Sequence, residues 1–226
     1  MKKLLMCGVL LGFSAGPAQS AIITANDIGE TGTVTFNGNV EGTPISGLTG
    51  SLTATLVDYV EGVNGYVIFD LEIENTSTIA GSRISGLAFN TDPNVTSGTQ
   101  TGATEFTQVL VKPNLQFPNS FGDVDLCLRD STQSNNCTGG ANGGVDIGET
   151  DTLQLTLNFA FLGDSLTIDN FGVRYQSIVG VTQGTSGTGG GTPGGTLFDV
   201  DPVPEPTSML LLGLGLLGAG IARRRM

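Results

Sequence analysis

Apolar and polar residues alternate with a period of two along much of the chain. Val67, Phe69, Leu71 and Ile73 interleave with Ile68, Asp70, Glu72 and Glu74, and Leu153, Leu155, Leu157, Phe159 and Phe161 interleave with Gln154, Thr156, Asn158 and Ala160. Successive side chains of an extended chain point to opposite faces, so each run predicts a strand with one face in a core. Residues 52–60 predict another strand, joined to the one at 67–73 through Glu61-Gly62-Val63-Asn64-Gly65, where Asn64-Gly65 supplies the positive φ angles of a hairpin turn. Shorter strands are predicted at residues 31–36, 83–89, 106–111, 124–128 and 166–175. Helical periodicity is hard to find, and there is no repeat of solenoid length. Short strands with Gly- and Asn-rich turns predict an all-β domain over residues 21–181, an antiparallel β-sandwich of jelly-roll type.

The two ends have a different texture. Met1-Lys2-Lys3, an apolar run over residues 4–13 and the small residues Ala18 and Ser20 before Ala21 have the form of a secretory signal peptide, residues 1–20, cleaved between Ser20 and Ala21. At the other end, Val203-Pro204-Glu205-Pro206 is followed by a membrane helix over residues 207–222 and by Arg223-Arg224-Arg225. The apolar stretch 209–222 is about 21 Å long as a helix. It crosses a hydrocarbon core of about 30 Å only if the bilayer thins and the flanking residues reach the interfaces. The arginines hold their end on the cytoplasmic side, and the prolines keep the preceding chain extended and open to a protease. Between body and tail, residues 182–202 are rich in Gly and Thr and predict a flexible linker. The G-x-G-x-x-G match at Gly189, Gly191 and Gly194 follows no predicted strand and opens no helix, which removes it from consideration as a nucleotide loop.

The C-terminal ensemble resembles the PEP-CTERM sorting signal of Gram-negative bacteria, which combines a Pro-Glu-Pro triplet, a short hydrophobic helix and a basic cluster. The resemblance implies passage through the inner membrane, transient anchoring by the helix, processing by an exosortase near Pro204-Glu205-Pro206, and a final place at the cell surface or in the extracellular polysaccharide matrix. Within the body, Arg83-Ile84-Ser85, Phe117-Pro118-Asn119, the cysteine pair with its glycine cluster, and the run from Asp169 to Ser177 resemble the cistern family of PEP-CTERM proteins. That family implies no activity.

Charge sharpens the picture. Five of the nine basic residues lie in the two terminal signals, and the chain between Asp27 and Glu205 holds all 21 acidic residues against Arg83, Lys112, Arg129 and Arg174, a formal charge of −17. Such a surface repels phosphate backbones, so nucleic acid is excluded as a partner. The absence of histidine removes His-dependent nucleophilic catalysis and His-ligated metals. Cys127 and Cys137, exported to an oxidising compartment, are expected to form a disulfide.

Carboxylates are the remaining candidate chemistry. Calcium is the metal the sequence accommodates best: Asp123 and Asp125, with Asp130, precede the cysteine loop, and Asp146, Glu149 and Asp151 follow it, so that the loop base gathers oxygen ligands. The alternative is a set of solvated turn acids. Asp70 with Glu72, or the acids at 146–151, supply the carboxylate pair of a glycosidase, but the chain has no Trp and three Tyr to form sugar platforms. Thr31, Thr33, Thr35, Thr53 and Thr55 form short period-two arrays that resemble those of ice-binding proteins, although Thr is also a common exposed-strand residue. The expectation is a non-enzymatic exported protein with a structural or adhesive role in exopolysaccharide or biofilm, the alternative being a carbohydrate-binding or carbohydrate-cleaving module.

Overall fold

The computed structural model describes residues 20–119, 121–130, 137–140 and 142–198. The expected signal peptide (residues 1–20) apart from Ser20, the sorting motif (Val203 to Pro206, Arg223 to Arg225) and the expected membrane helix at 207–222 lie outside the described residues. Among the described residues no helix is long and apolar enough to cross a membrane.

The domain is all-β and antiparallel, as the alternation predicts. Its strands are β1 (Ala21–Ile23), β2 (Thr31–Val40), β3 (Thr43–Val60), β4 (Gly62–Val63), β5 (Tyr66–Glu74), β6 (Arg83–Asp92), β7 (Ser97–Thr101), β8 (Gln108–Phe117), β9 (Gly122–Arg129), β10 (Thr150–Asn158), β11 (Phe161–Leu162), β12 (Leu166–Gln176) and β13 (Gly187–Gly195). One large sheet runs in the order β7-β10-β5-β3-β2-β13-β12-β6-β9-β8, with β1 added to β12, while β4 and β11 form a small separate ribbon. The sheet folds back on itself until its ends meet, Gly98 of β7 lying against Val109 of β8. It is therefore a flattened, nearly closed barrel, with the core between its two layers.

The predicted inward positions Val67, Phe69, Leu71 and Ile73 of β5 and Leu153, Leu155 and Leu157 of β10 are buried. They face Phe89, Phe171 and Val173 of the opposite layer across a shared core. Phe161 departs from its run: it is 61% exposed, because the chain leaves the sheet at Phe159 and pairs Phe161 with Val63 in the small ribbon. The β3–β5 hairpin forms with Val60 opposite Tyr66, but its left-handed residues are Gly62 and Asn64, not Asn64-Gly65. The β4–β11 pairing imposes this, bending the connection toward Phe161.

The main correction concerns residues 182–202, expected as a flexible linker with the domain ending at 181. Residues Gly187–Gly195 instead form β13, which lies between β2 and β12 and joins the two layers into one sheet. The glycines that hide this strand from a hydrophobicity pattern are what its position requires. A Cβ at Gly191 would overlap Val34 and Phe171, and one at Gly187 would overlap the Asn39 carbonyl. Side chains from the neighbouring strands fill the space that β13 leaves, so the strand is held by its ladder and its neighbours. Beyond it Leu197 and Phe198 are buried. Phe198 packs against Phe171 with the rings tilted by 57° and centroids 5.4 Å apart, and covers Gly32 so closely that a Cβ there would overlap its ring.

Cys127 and Cys137 form the expected disulfide, with Cα atoms 6.1 Å apart. Both are buried in a second apolar cluster with Ala88, Leu115, Phe117 and Val124. Nearby, the buried Asn75 donates to the carbonyls of Ser82 and Val145, each at 2.9 Å, and accepts from the Ser77 N–H at 3.1 Å. One satisfied amide thus fixes the β5–β6 connection against the segment leading into β10.

Candidate functional site

The acids flanking the cysteine loop do not meet. Asp123 accepts from the Gln116 amide across the β8–β9 pair. Asp125, two residues on, accepts the Thr91 N–H at 2.8 Å. Asp146 pairs with Arg83, Nε to Oδ1 2.6 Å. The Glu149 side chain is exposed to solvent. Asp151 is 2% exposed and accepts the N–H groups of Thr104, Glu105 and Phe106 at 2.9, 3.0 and 2.9 Å, and the Thr104 hydroxyl at 2.9 Å. Burial opposes ionisation of Asp151, but the bonds from Phe106, Thr104 and Glu105 outweigh it and hold the carboxyl below the usual carboxylate range. This is a loop anchor that carries Phe106 into the core. Among the described residues no group of three or more His, Cys, Asp or Glu side chains is placed to hold a metal ion. Sequence proximity brought these acids together on paper, and the strand ladder separates them.

The threonine arrays do form one surface. Thr31 and Thr33 of β2 stand opposite Thr55 and Thr53 of β3, which stand opposite Asp70 and Glu72 of β5, and these face Gln154 and Thr152 of β10. The Thr31 and Thr55 hydroxyls are 3.0 Å apart, and the Gln154 amide donates to Asp70 at 3.0 Å. Over β3, β5, β10 and the end of β7 the face is hollowed by about 420 Å³, and none of the lining residues is aromatic. The surface presents hydroxyls, an amide and two carboxylates in rows about 4.8 Å apart. It can hydrogen-bond water or a hydroxyl-rich polymer, but it offers no ring face to orient one.

Three of the four cations between the terminal signals gather near the cysteine loop. Arg129 and Arg174 both stand opposite Gly86, and Arg83 opens the same strand, β6. Burial lowers the pKa of both Arg129 and Arg174, opposed by the charge of Asp130 beside them. Arg83 also donates to the Asn142 carbonyl at 2.8 Å, and Gln176 to that of Thr138 at 2.6 Å, tying the loop to the sheet.

No curated protein and no solved structure matches the chain. The likeness of the body to the cistern family gains no support from these comparisons. The tail does find a match: residues 202–225 fit the PEP-CTERM protein-sorting motif. The match begins four residues after the buried Phe198, so the signal follows directly on the folded body. The motif implies an exosortase as processing partner, and the chain carries the PEP-CTERM protein-sorting motif at its C-terminal end.

Proposed function

We propose that this is a structural or adhesive protein of the cell surface or extracellular polysaccharide matrix, released from its membrane helix by exosortase action near Pro204-Glu205-Pro206. The observation that carries the reading is the sorting motif at residues 202–225. A strongly acidic body, a buried disulfide and polar outer sheet faces are consistent with a domain that works outside the cell. No catalytic role is included: Asp123, Asp125, Asp146 and Asp151 are engaged as anchors and pairs, Asp70 and Glu72 stand on an open hydroxyl face, and Glu149 is exposed to solvent. Fractionation of the native bacterium with and without its exosortase tests the proposal. A shortened protein at the surface or in the matrix is expected in the first case, and a full-length protein in the inner membrane in the second. Full-length protein in the inner membrane of both strains would overturn it.

A further inference from the structure

The glycines of β13 are not all alike. Packing accounts for Gly187, Gly189 and Gly191, and the left-handed φ of +86° for Gly195, while Gly194 and Gly190 have open space at the Cβ position, Gly194 meeting only the Thr33 carbonyl at 4.0 Å. Gly190 has neither reason: a Cβ there would meet nothing within 4 Å. It lies between Asn37 and Gly172 in the ladder and is exposed. Glycine weakens a strand, so packing and backbone geometry leave its presence at 190 unexplained.

Gly190 is part of the lining of a trough of about 850 Å³ between two hairpin tips. On one side is the β8–β9 tip with Asn119 and Phe121, on the other the β2–β3 tip with Asn39, Glu41 and Pro44. The Phe121 ring lies over Gly172, whose absent Cβ makes room for it, and is held by an edge contact to Phe117 with centroids 5.2 Å apart. Both tips carry a left-handed residue, Glu41 at φ 50° and Asn119 at φ 55°. For Asn this is a familiar conformation; for Glu it is uncommon. Asn39 is already committed, donating to the Thr188 carbonyl at 2.9 Å and accepting the Gly42 N–H at 3.2 Å.

We infer that this trough is a saccharide-binding site, with Phe121 as the apolar wall for one sugar ring and Glu41 and Asn119 as hydrogen-bonding groups for its hydroxyls. The inference rests on the adhesive reading above and gives it a location. An aromatic wall with a few polar groups beside the open floor at Gly190 suits a compact amphipathic ring. The formal charge of −17 from Asp27 to Glu205, with a carboxylate at the trough itself, selects a neutral sugar over a uronate. A peptide strand finds no open edge on the floor, because Gly190 is in the ladder on both sides. The threonine face lacks the ring platform and serves as the internal comparison.

The test is binding of the mature, disulfide-bonded protein to an array of neutral and uronate-containing oligosaccharides, repeated with Gly190→Val, Glu41→Gln and Thr55→Val. Gly190→Val fills the trough at a position with steric room, so its melting temperature should match or exceed the wild-type value while binding to neutral glycans falls at least tenfold. Glu41→Gln should weaken binding with the fold intact, and Thr55→Val should leave it unchanged. Absence of glycan binding by the wild type, or equal binding by Gly190→Val, would overturn the site, as would selective capture of peptides from a peptide array. Processing of the variants in the native bacterium reads the sorting proposal separately: normal surface delivery without glycan binding defeats only the saccharide site.

Discussion

The carboxylate of Asp151 accepts the backbone N–H of Phe106 at 2.9 Å, across 45 residues of sequence. With the adjacent bonds from Thr104 and Glu105 it closes the β7–β8 connection over the core. Asp151→Asn replaces one acceptor by a donor that faces the same N–H groups. It is expected to cost about 1 to 3 kcal/mol, measured by urea unfolding. The pH dependence has a definite sign. The native pKa is lowered, so the stabilisation is present above the unfolded carboxylate value of about 3.9 and is lost as pH falls through the lower native value. The variant should therefore lose less stability than wild type on acidification below about pH 4.

Tyr175 carries the opposite kind of polar atom. It is fully buried, burial pushes its pKa above the ordinary tyrosine value, and its hydroxyl has no hydrogen-bond partner among the described residues. Tyr175→Phe should leave stability unchanged or raise it by up to about 1 kcal/mol. A fall in melting temperature beyond experimental error would show that the hydroxyl is satisfied.

Gly191 lies where a side chain has no room, its Cβ position overlapping Val34 and Phe171. Gly191→Val is expected to destabilise by about 1 to 3 kcal/mol through overpacking. Gly190, one residue away, should tolerate the same substitution. The contrast, read from paired thermal melts, checks the placement of β13 directly.

The disulfide closes a short loop, its cysteines 10 residues apart. Replacing both cysteines by alanine should lower stability by about 2 to 3 kcal/mol. Because both cysteines are buried, reduction of the native protein by dithiothreitol should be slow and should accelerate in denaturant.

The dispersal of Asp123, Asp125, Asp146, Glu149 and Asp151 bears on metal binding. Millimolar calcium and millimolar magnesium should change the melting temperature equally. A selective rise with calcium would show that these acids converge in solution.

Much of the architecture was legible because it follows from one-sided burial. The strands at β5 and β10 alternate with a period of two, and the residues that alternate are the residues that pack. The threonines of β2 and β3 were visible for the same reason, as the outer half of the pattern. What stayed hidden were features that depend on partners distant in sequence. β13 has no hydrophobic signature, since Val34 and Phe171 supply the side chains that occupy its place. Asp151 looked like a turn acid because its donors lie at 104–106. Phe121 and Gly190 come together only through the sheet order, although the Asn-bearing turn at 119 and the glycine run at 187–195 marked where the chain bends and where it lacks bulk.

The position of β13 also sets a length and an order of events. Phe198 is fixed in the core, and six Cα steps separate it from Pro204, so the start of the sorting triplet stays within about 22 Å of Phe198 whatever path residues 199–203 follow. An exosortase that engages the triplet must therefore work with the barrel at its entrance. Because β13 lies between β2 and β12, the barrel closes only after the chain as far as Gly195 has been exported. The end of the strand that completes the fold and the first residue of the sorting motif are thereby only seven residues apart in the chain.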